Sequence, residues 1–145
     1  PNTIPWDSKA AGLYMICTLS KHEAERQGYS ESLMLDHEGN VAESTSANVF
    51  FKDSNGELHT PIPDCFLDGI TRRTVIDIAK SKNIKVHERK ISPNELPNFV
   101  GCFLTGTAAE ITPVSKIAEN NYKVCDLIID LSSSYGKLVR KKKAA

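Results

Sequence analysis

The chain has 145 residues, about the size of one domain, with 40% hydrophobic and 25% charged residues. Lysine plus arginine numbers 18 and aspartate plus glutamate 18, so the net charge is zero. That balance argues against a nucleic-acid or membrane-surface binder, and no apolar run approaches the ~20 residues of a membrane helix. The chain opens Pro1-Asn2-Thr3-Ile4-Pro5. It shows no basic-then-apolar signal peptide, and the lack of an initiator methionine leads to the expectation of a processed or partial chain.

The four cysteines, Cys17, Cys65, Cys102 and Cys125, are widely spaced and form no C-x-x-C pair. This argues against zinc, and no metal is expected. Cys17, Cys102 and Cys125 lie in apolar surroundings. Free buried thiols in a reducing cytoplasm are the simplest reading.

In chain order, residues 10 to about 27 read as a helix. Leu13, Ile16, Cys17, Ser20 and Ala24 share one face, and Gly28 stops it. Ser32-Leu33-Met34-Leu35 is a short apolar strand, followed by a turn at His37-Glu38-Gly39-Asn40. Strands are predicted at Val41-Ala42-Glu43 and Ala47-Asn48-Val49-Phe50-Phe51. After a turn at Asp53-Ser54-Asn55-Gly56, Glu57-Leu58-His59-Thr60 resumes extended structure. Pro61 and Pro63 open a loop that ends at Asp68-Gly69-Ile70-Thr71. A helix with Val75, Ile78, Ala79 and Lys82 at helical spacing follows and closes at Asn83. Residues 85–91 alternate like an edge strand, and Pro93 to Pro97 is a turn or short helix. Cys102-Phe103-Leu104-Thr105 is a buried strand running into Gly106-Thr107-Ala108-Ala109. Residues 124–139 form a closing helix weakened by Ser132-Ser133-Ser134 and Gly136. Strands alternating with helices give an α/β or α+β class.

Four places could carry chemistry. Lys9, among small residues at a helix start, is either an ordinary solvated lysine or an amine able to form a Schiff base. Glu43, before Ser44-Thr45-Ser46, is either part of a capped turn or a carboxylate partnering a buried cation. Asp68-Gly69-Ile70-Thr71 is either an aspartate N-cap with a turn glycine or a set of free N–H groups for a phosphate. Thr105-Gly106-Thr107-Ala108-Ala109 is either a tight strand-to-loop crossing or a second anion cradle. Together they are the parts needed to hold pyridoxal 5′-phosphate: an amine for its aldehyde, a carboxylate for its ring nitrogen and two turns for its phosphate.

In this combination the chain resembles the fold-type IV aminotransferases, most closely the branched-chain amino acid aminotransferases. The likeness runs from about Asn2 to Val114. It is carried by Ser8-Lys9-Ala10-Ala11-Gly12-Leu13-Tyr14, Glu43-Ser44-Thr45-Ser46-Ala47-Asn48-Val49-Phe50, Leu67-Asp68-Gly69-Ile70-Thr71-Arg72 and residues 105–114. The resemblance implies the large C-terminal domain of the D-amino acid aminotransferase-like fold, a mixed sheet in a barrel-like arrangement with flanking helices. Residues 1–145 would be that cofactor-binding domain, without the family's smaller N-terminal domain and its phosphate-binding arginine.

The resemblance also implies roles. Lys9 is the Schiff-base lysine and the catalytic base. Tyr14 bonds the ring hydroxyl oxygen, Glu43 partners the pyridine nitrogen and Leu67 packs on the ring. Ile70 and Thr71 give backbone N–H groups to the phosphate, and Thr107 gives its hydroxyl. The Thr107 and Ala108 amides receive the substrate carboxylate. Should the site be completed within this sequence instead, Arg72 or Arg73 would take the phosphate. The implied reaction moves an amino group from leucine, isoleucine or valine to 2-oxoglutarate, in a cytoplasmic homodimer or larger homo-oligomer. The serine-rich Ser44-Thr45-Ser46 is closer to the D-amino acid enzymes, while Thr105-Gly106-Thr107-Ala108-Ala109 is similar to the branched-chain version. D-amino acid aminotransferase and aminodeoxychorismate lyase therefore stay as alternatives. So does a non-catalytic cofactor-binding fragment, and an interaction domain using Arg140-Lys141-Lys142-Lys143 is the blandest reading.

Overall fold

The computed structural model describes residues 4–140. Its centre is strand β3 (Asn48–Lys52), which lies antiparallel to β6 (Gly101–Gly106) along its whole length. Two further strands extend the sheet on the β3 side: β4 (Leu58–Thr60), antiparallel to β3, and β5 (Val86–Glu88), parallel to β4. On the other side β7 (Glu110–Pro113) pairs with β6, giving a mixed five-stranded sheet in the order β5-β4-β3-β6-β7. Ahead of it, β1 (Leu33–Leu35) and β2 (Val41–Ser44) make a separate antiparallel pair, and a small hairpin joins β8 (Lys116–Ile117) to β9 (Asn120–Asn121).

The period-two alternation of β3 divides the core. Val49 and Phe51 point to one side and pack with Leu96, Phe99, Cys102, Leu104 and Tyr122. Phe50 points to the other and stacks on Phe103 at 5.0 Å. That second side is covered by helices α2 (Ile70–Ser81) and α3 (Asp126–Val139), through Val75, Ile76, Ala79, Ile128, Leu131 and Tyr135. Asn48, two residues before Phe50, lies on this helix-covered face, and so does its cross-strand partner Thr105.

Most predicted elements are present, with instructive differences. The first helix is shorter than residues 10–27: Ala11–Tyr14 is a 3₁₀ turn and helix α1 runs Met15–Arg26, ending at Gly28 with φ +83°. Leu13, Cys17, Ser20 and Ala24 are half-buried, but Ile16 is 59% exposed. It sits about 100° around the helix from Cys17, on an outer stripe with Met15 and Leu19. Lys82 is exposed just past α2, while Ile76, absent from the predicted face, is buried. Asn83 takes the left-handed conformation that closes α2, and residues 93–98 form a 3₁₀ turn with a Ser92–Glu95 capping box. Ser132-Ser133-Ser134 and Gly136 do not break α3, whose inner face is closed by Ile128, Leu131 and Tyr135. Strands β7, β8 and β9 were not foreseen; β7 carries Pro113 at its edge, where no N–H is required. Of the four cysteines only Cys102 is buried; the other three free thiols are half-buried. The basic residues Lys141, Lys142 and Lys143 lie outside the described residues.

Arg72 is the largest fully buried side chain, 1% exposed. Its guanidinium donates to Thr60 Oγ1 at 3.3 Å, Asp68 Oδ1 at 2.8 Å, Pro61 O at 2.9 Å and Glu88 Oε2 at 2.8 Å. It thereby ties α2 to the ends of β4 and β5. Removing it leaves the Pro61 carbonyl without its donor, takes Glu88 from its cation and leaves Asp68 only Arg73, while the Thr60 hydroxyl keeps its bond to Val49 O. Arg72→Met is expected to destabilise the fold by about 3 kcal/mol, read as a lowered urea midpoint.

Candidate active site

Lys9 is exposed in the extended residues just ahead of the 3₁₀ turn, and its Nζ donates to the hydroxyl of Tyr14 at 3.2 Å. The turn at Ala11–Tyr14 sets this contact, by bringing a residue five positions on back toward Lys9. Tyr14 is also on the wall of a cavity of about 280 Å³. Glu43 and Leu67 share that wall, joined by Trp6, Cys17 and Phe66. Three of the predicted cofactor contacts thus meet at one cavity, and Lys9 is attached to it through Tyr14.

Glu43 is the group on which the electrostatics turn. It occupies β2, half-buried, and accepts from Asn48 Nδ2 at 3.3 Å. Among the described residues it forms no ion pair closer than 4 Å. Burial pushes its carboxyl up to about 7, and the positive charge of Lys9 opposes this only in part. The cavity thiols are protonated at neutral pH: burial pushes Cys65 up to about 11, and burial and then Glu43 push Cys17 up. Neither is poised as a nucleophile.

The Ser44-Thr45-Ser46 turn after Glu43 uses its hydroxyls internally. Ser44 Oγ accepts from Ala47 N at 3.1 Å, and Thr45 and Ser46 both donate to Glu31. Glu31 also pairs with Lys21 of α1 at 3.3 Å. Burial works against its ionisation, but bonds from Thr45, Ser46 and Lys21 outweigh this and hold its carboxyl below the ordinary value. The serine-rich turn is therefore a clip between α1 and the β2–β3 corner.

The two predicted anion turns differ. At the first, Gly69 is the N-cap of α2, and no side chain caps the free N–H groups of its first turn. Asp68 is not the N-cap; it is held by Arg72 and Arg73. Ile70 is 76% exposed, whereas Thr71 is buried with its hydroxyl 3.3 Å from that of Tyr135. At the second, Thr107 and Ala108 are exposed in the β6–β7 turn and are not on the cavity wall. Gly106 does bring that turn against the Ser46–Ala47 corner. Arg72 is wholly engaged by its structural partners, so it is not free for a phosphate, and Arg73 is bonded to the carboxylate and carbonyl of Asp68.

Two residues went unassigned in the motif reading. Asn48, 5% exposed, bridges Glu43 to the Leu67–Gly69 backbone. A polar amide inside Ala47-Asn48-Val49-Phe50-Phe51 was the available signal. Thr105, 1% exposed, keeps a buried hydroxyl with no hydrogen-bond partner, on the sheet face that α2 covers.

With that geometry in hand, comparison with known proteins gives the family. The pattern of the family described as "Amino-transferase class IV" matches residues 5–117, and the chain belongs to that family. It is 42% identical over 147 residues to the "Probable branched-chain-amino-acid aminotransferase" of Rickettsia bellii, covering 97% of this chain and 50% of that protein. Among solved structures, the branched-chain aminotransferase of Thermoproteus uzoniensis with norvaline superposes with a TM-score of 0.92 at 36% identity, covering 98% of this chain and 48% of that one. The PLP-form of the Thermobaculum terrenum branched-chain enzyme gives 0.90 at 35% identity, covering 95% and 46%. The chain spans about half the length of the relatives it matches.

Glu43 gives a direct pH test. Its carboxyl is raised from 4.5 to about 7 in the folded protein. Its contribution to stability is therefore complete below about pH 4.5 and is lost as pH rises through about 7. The gap corresponds to about 3 kcal/mol. In the cofactor-free protein, Glu43→Gln is expected to gain about 2–3 kcal/mol over wild type between pH 5 and pH 8. A stability difference that stays constant with pH would mean that Glu43 keeps its water.

Proposed function

We propose that this chain carries the cofactor-binding half of a branched-chain amino acid aminotransferase. The protein would move the amino group of leucine, isoleucine or valine to 2-oxoglutarate. One observation carries this reading: Glu43, a desolvated carboxyl with no ion-pair partner among the described residues, shares a cavity with Tyr14 and Leu67, and the Lys9 amine adjoins it through Tyr14.

The residues present fit pyridoxal 5′-phosphate. Glu43 offers a carboxylate to a protonated ring nitrogen, Tyr14 a hydroxyl to the ring oxygen and Leu67 an apolar face. The uncapped first turn of α2 at Ile70 and Thr71 offers N–H groups to the phosphate, assisted by the Thr107 hydroxyl. The unpaired buried hydroxyl of Thr105 marks the same end of the sheet as polar and unsatisfied. When bound, the cofactor supplies an electron sink for charge developing at the substrate α-carbon.

The chain's own groups do the rest. Lys9 would hold the cofactor through its amine, and its Nζ is the group that would carry the substrate α-proton as general base. A cation on the ring side of Glu43 takes up the carboxylate's charge and weakens its hold on the Lys9 ammonium, which favours the neutral amine. The Thr107 and Ala108 amides receive the substrate carboxylate. The Thr45 and Ser46 hydroxyls are spent on the Glu31 clip and that of Ser44 on the Ala47 N–H, so they do not favour a D-amino acid substrate.

The reading includes a second domain, supplied by the half of the relatives that this chain does not match, which adds a phosphate cation and closes the substrate pocket. It also includes a cytoplasmic homodimer or larger homo-oligomer. The exposed stripe of Met15, Ile16 and Leu19 supports a packed neighbour. No helix among the described residues is long and apolar enough to cross a membrane.

Borohydride reduction of the cofactor-loaded protein is expected to fix the cofactor to the Lys9 peptide, read by mass spectrometry. Lys9→Ala should lose transamination of leucine, and labelling of another lysine would refute the assignment. Glu43→Gln is expected to cut turnover by ~10²–10⁴ while cofactor affinity changes far less. Residues 1–145 by themselves should bind the cofactor about ten- to a hundredfold more weakly than a protein with the second domain. They should show no transamination in a coupled glutamate assay.

A further inference from the structure

The candidate site draws on segments far apart in sequence: Lys9 to Tyr14, Glu43 on β2, and residues 67–71 leading into α2. One side chain joins the second segment to the third. Asn48 opens β3 on the helix-covered face. Its Nδ2 donates to Glu43 Oε2 at 3.3 Å and to Leu67 O at 2.8 Å. Its Oδ1 accepts from Gly69 N at 3.2 Å. Both amide hydrogens and the amide oxygen are thus engaged, in a residue 5% exposed.

The approach is close enough to dictate the neighbour. A Cβ placed on Gly69 would lie 2.4 Å from Asn48 Oδ1, well inside contact distance. Gly69 has φ −61°, which any residue can adopt, so its lack of a side chain serves this contact and not the backbone angle. Glycine before α2 and asparagine at the start of β3 form one unit, 21 residues apart.

We propose that Asn48 is a positioning residue: its amide locks the Glu43 carboxylate to the Leu67–Gly69 backbone. The ring-nitrogen partner, the ring-packing leucine and the phosphate-facing N–H groups are thereby held at one fixed spacing. The functional part of this statement rests on the reading of Glu43 as the ring-nitrogen partner.

The amide does two things at once. It donates to a carboxylate, which favours the charged form of Glu43 against its burial. It simultaneously accepts an N–H whose loss would loosen the entry to α2. Asn48→Asp separates these roles, keeping an acceptor for Gly69 N while setting a like charge beside Glu43. Gly69→Ala attacks the lock from the other side. Its methyl would displace only the tip of the Asn48 side chain, so this variant should fold even if changes at Asn48 do not.

The test reads Glu43 directly, by ¹³C-carboxyl NMR titration of the cofactor-free protein, with the Gly69 amide shift as a second signal. Asn48→Ala and Gly69→Ala are expected to raise the Glu43 midpoint by about half to one pH unit. Asn48→Asp should raise it further while leaving the Gly69 amide near its wild-type shift. In the cofactor-loaded protein, Asn48→Ala and Gly69→Ala should weaken cofactor binding about tenfold. An unchanged Glu43 midpoint in Asn48→Asp and Gly69→Ala would overturn the lock and leave Asn48 a backbone prop. Should wild type bind no cofactor, the functional reading fails on its own, and the titration still decides the lock.

Discussion

A carboxyl group held away from water without a cation of its own is the constraint around which the site is organised. Elsewhere the fold pairs its buried charge with care. Arg72 is buried with two carboxylates, a hydroxyl and a carbonyl around it, and Glu31 is surrounded by Lys21, Thr45 and Ser46. Glu43 is the contrast, with one amide donor and the more distant field of Lys9. Among the described residues this one carboxyl is left short of a cation, which is what the proposed role of Glu43 toward a positively charged ring nitrogen requires.

The sheet makes that arrangement possible. The register of β3 on β6 sets Phe50 on Phe103 and Asn48 on Thr105 along one face. The aromatic pair anchors the helices over the middle of the face. The polar pair falls beyond them, where the N-terminus of α2 arrives. A one-residue slip would send Asn48 to the opposite face and break the link between Glu43 and Gly69. Sheet register is therefore a condition on the electrostatics of the site as much as on the core.

The pattern of strands and helices was largely legible, because it rests on local periodicity. Of residues 85–91, whose alternation predicts an edge strand, Val86–Glu88 form the edge strand β5 and the rest lies outside it. What stayed hidden depends on contacts between distant residues. Arg72 carries no sign in the sequence that Thr60 and Glu88 will enclose it, because that follows from where β4 and β5 come to rest beside α2. Nor does the serine-rich turn carry any sign that Glu31, well before it in the chain, takes the Thr45 and Ser46 hydroxyls. The resemblance singles out Lys9, Tyr14, Glu43 and Leu67 by their spacing, and the structure brings the last three to one cavity with Lys9 bonded to Tyr14. Asn48 stood in the same motif but had no role until its three partners were visible.

The outer face of α1 carries the last step of the argument. Met15, Ile16 and Leu19 are 70, 59 and 65% exposed on adjacent positions of one stripe. The helix is joined to the rest mainly by its half-buried inner residues and the Lys21–Glu31 pair. An apolar stripe left in water costs solubility and contributes nothing to this half's own stability. Lys9 lies just ahead of the same helix, at the rim of the cavity. A neighbour that covered Met15, Ile16 and Leu19 would also shield the Lys9 amine from water, and would strengthen each polar contact in the cavity by lowering its dielectric. A neighbour on this face would therefore remove the exposed apolar surface and dry the edge of the cavity together, since both lie on the same short segment of chain.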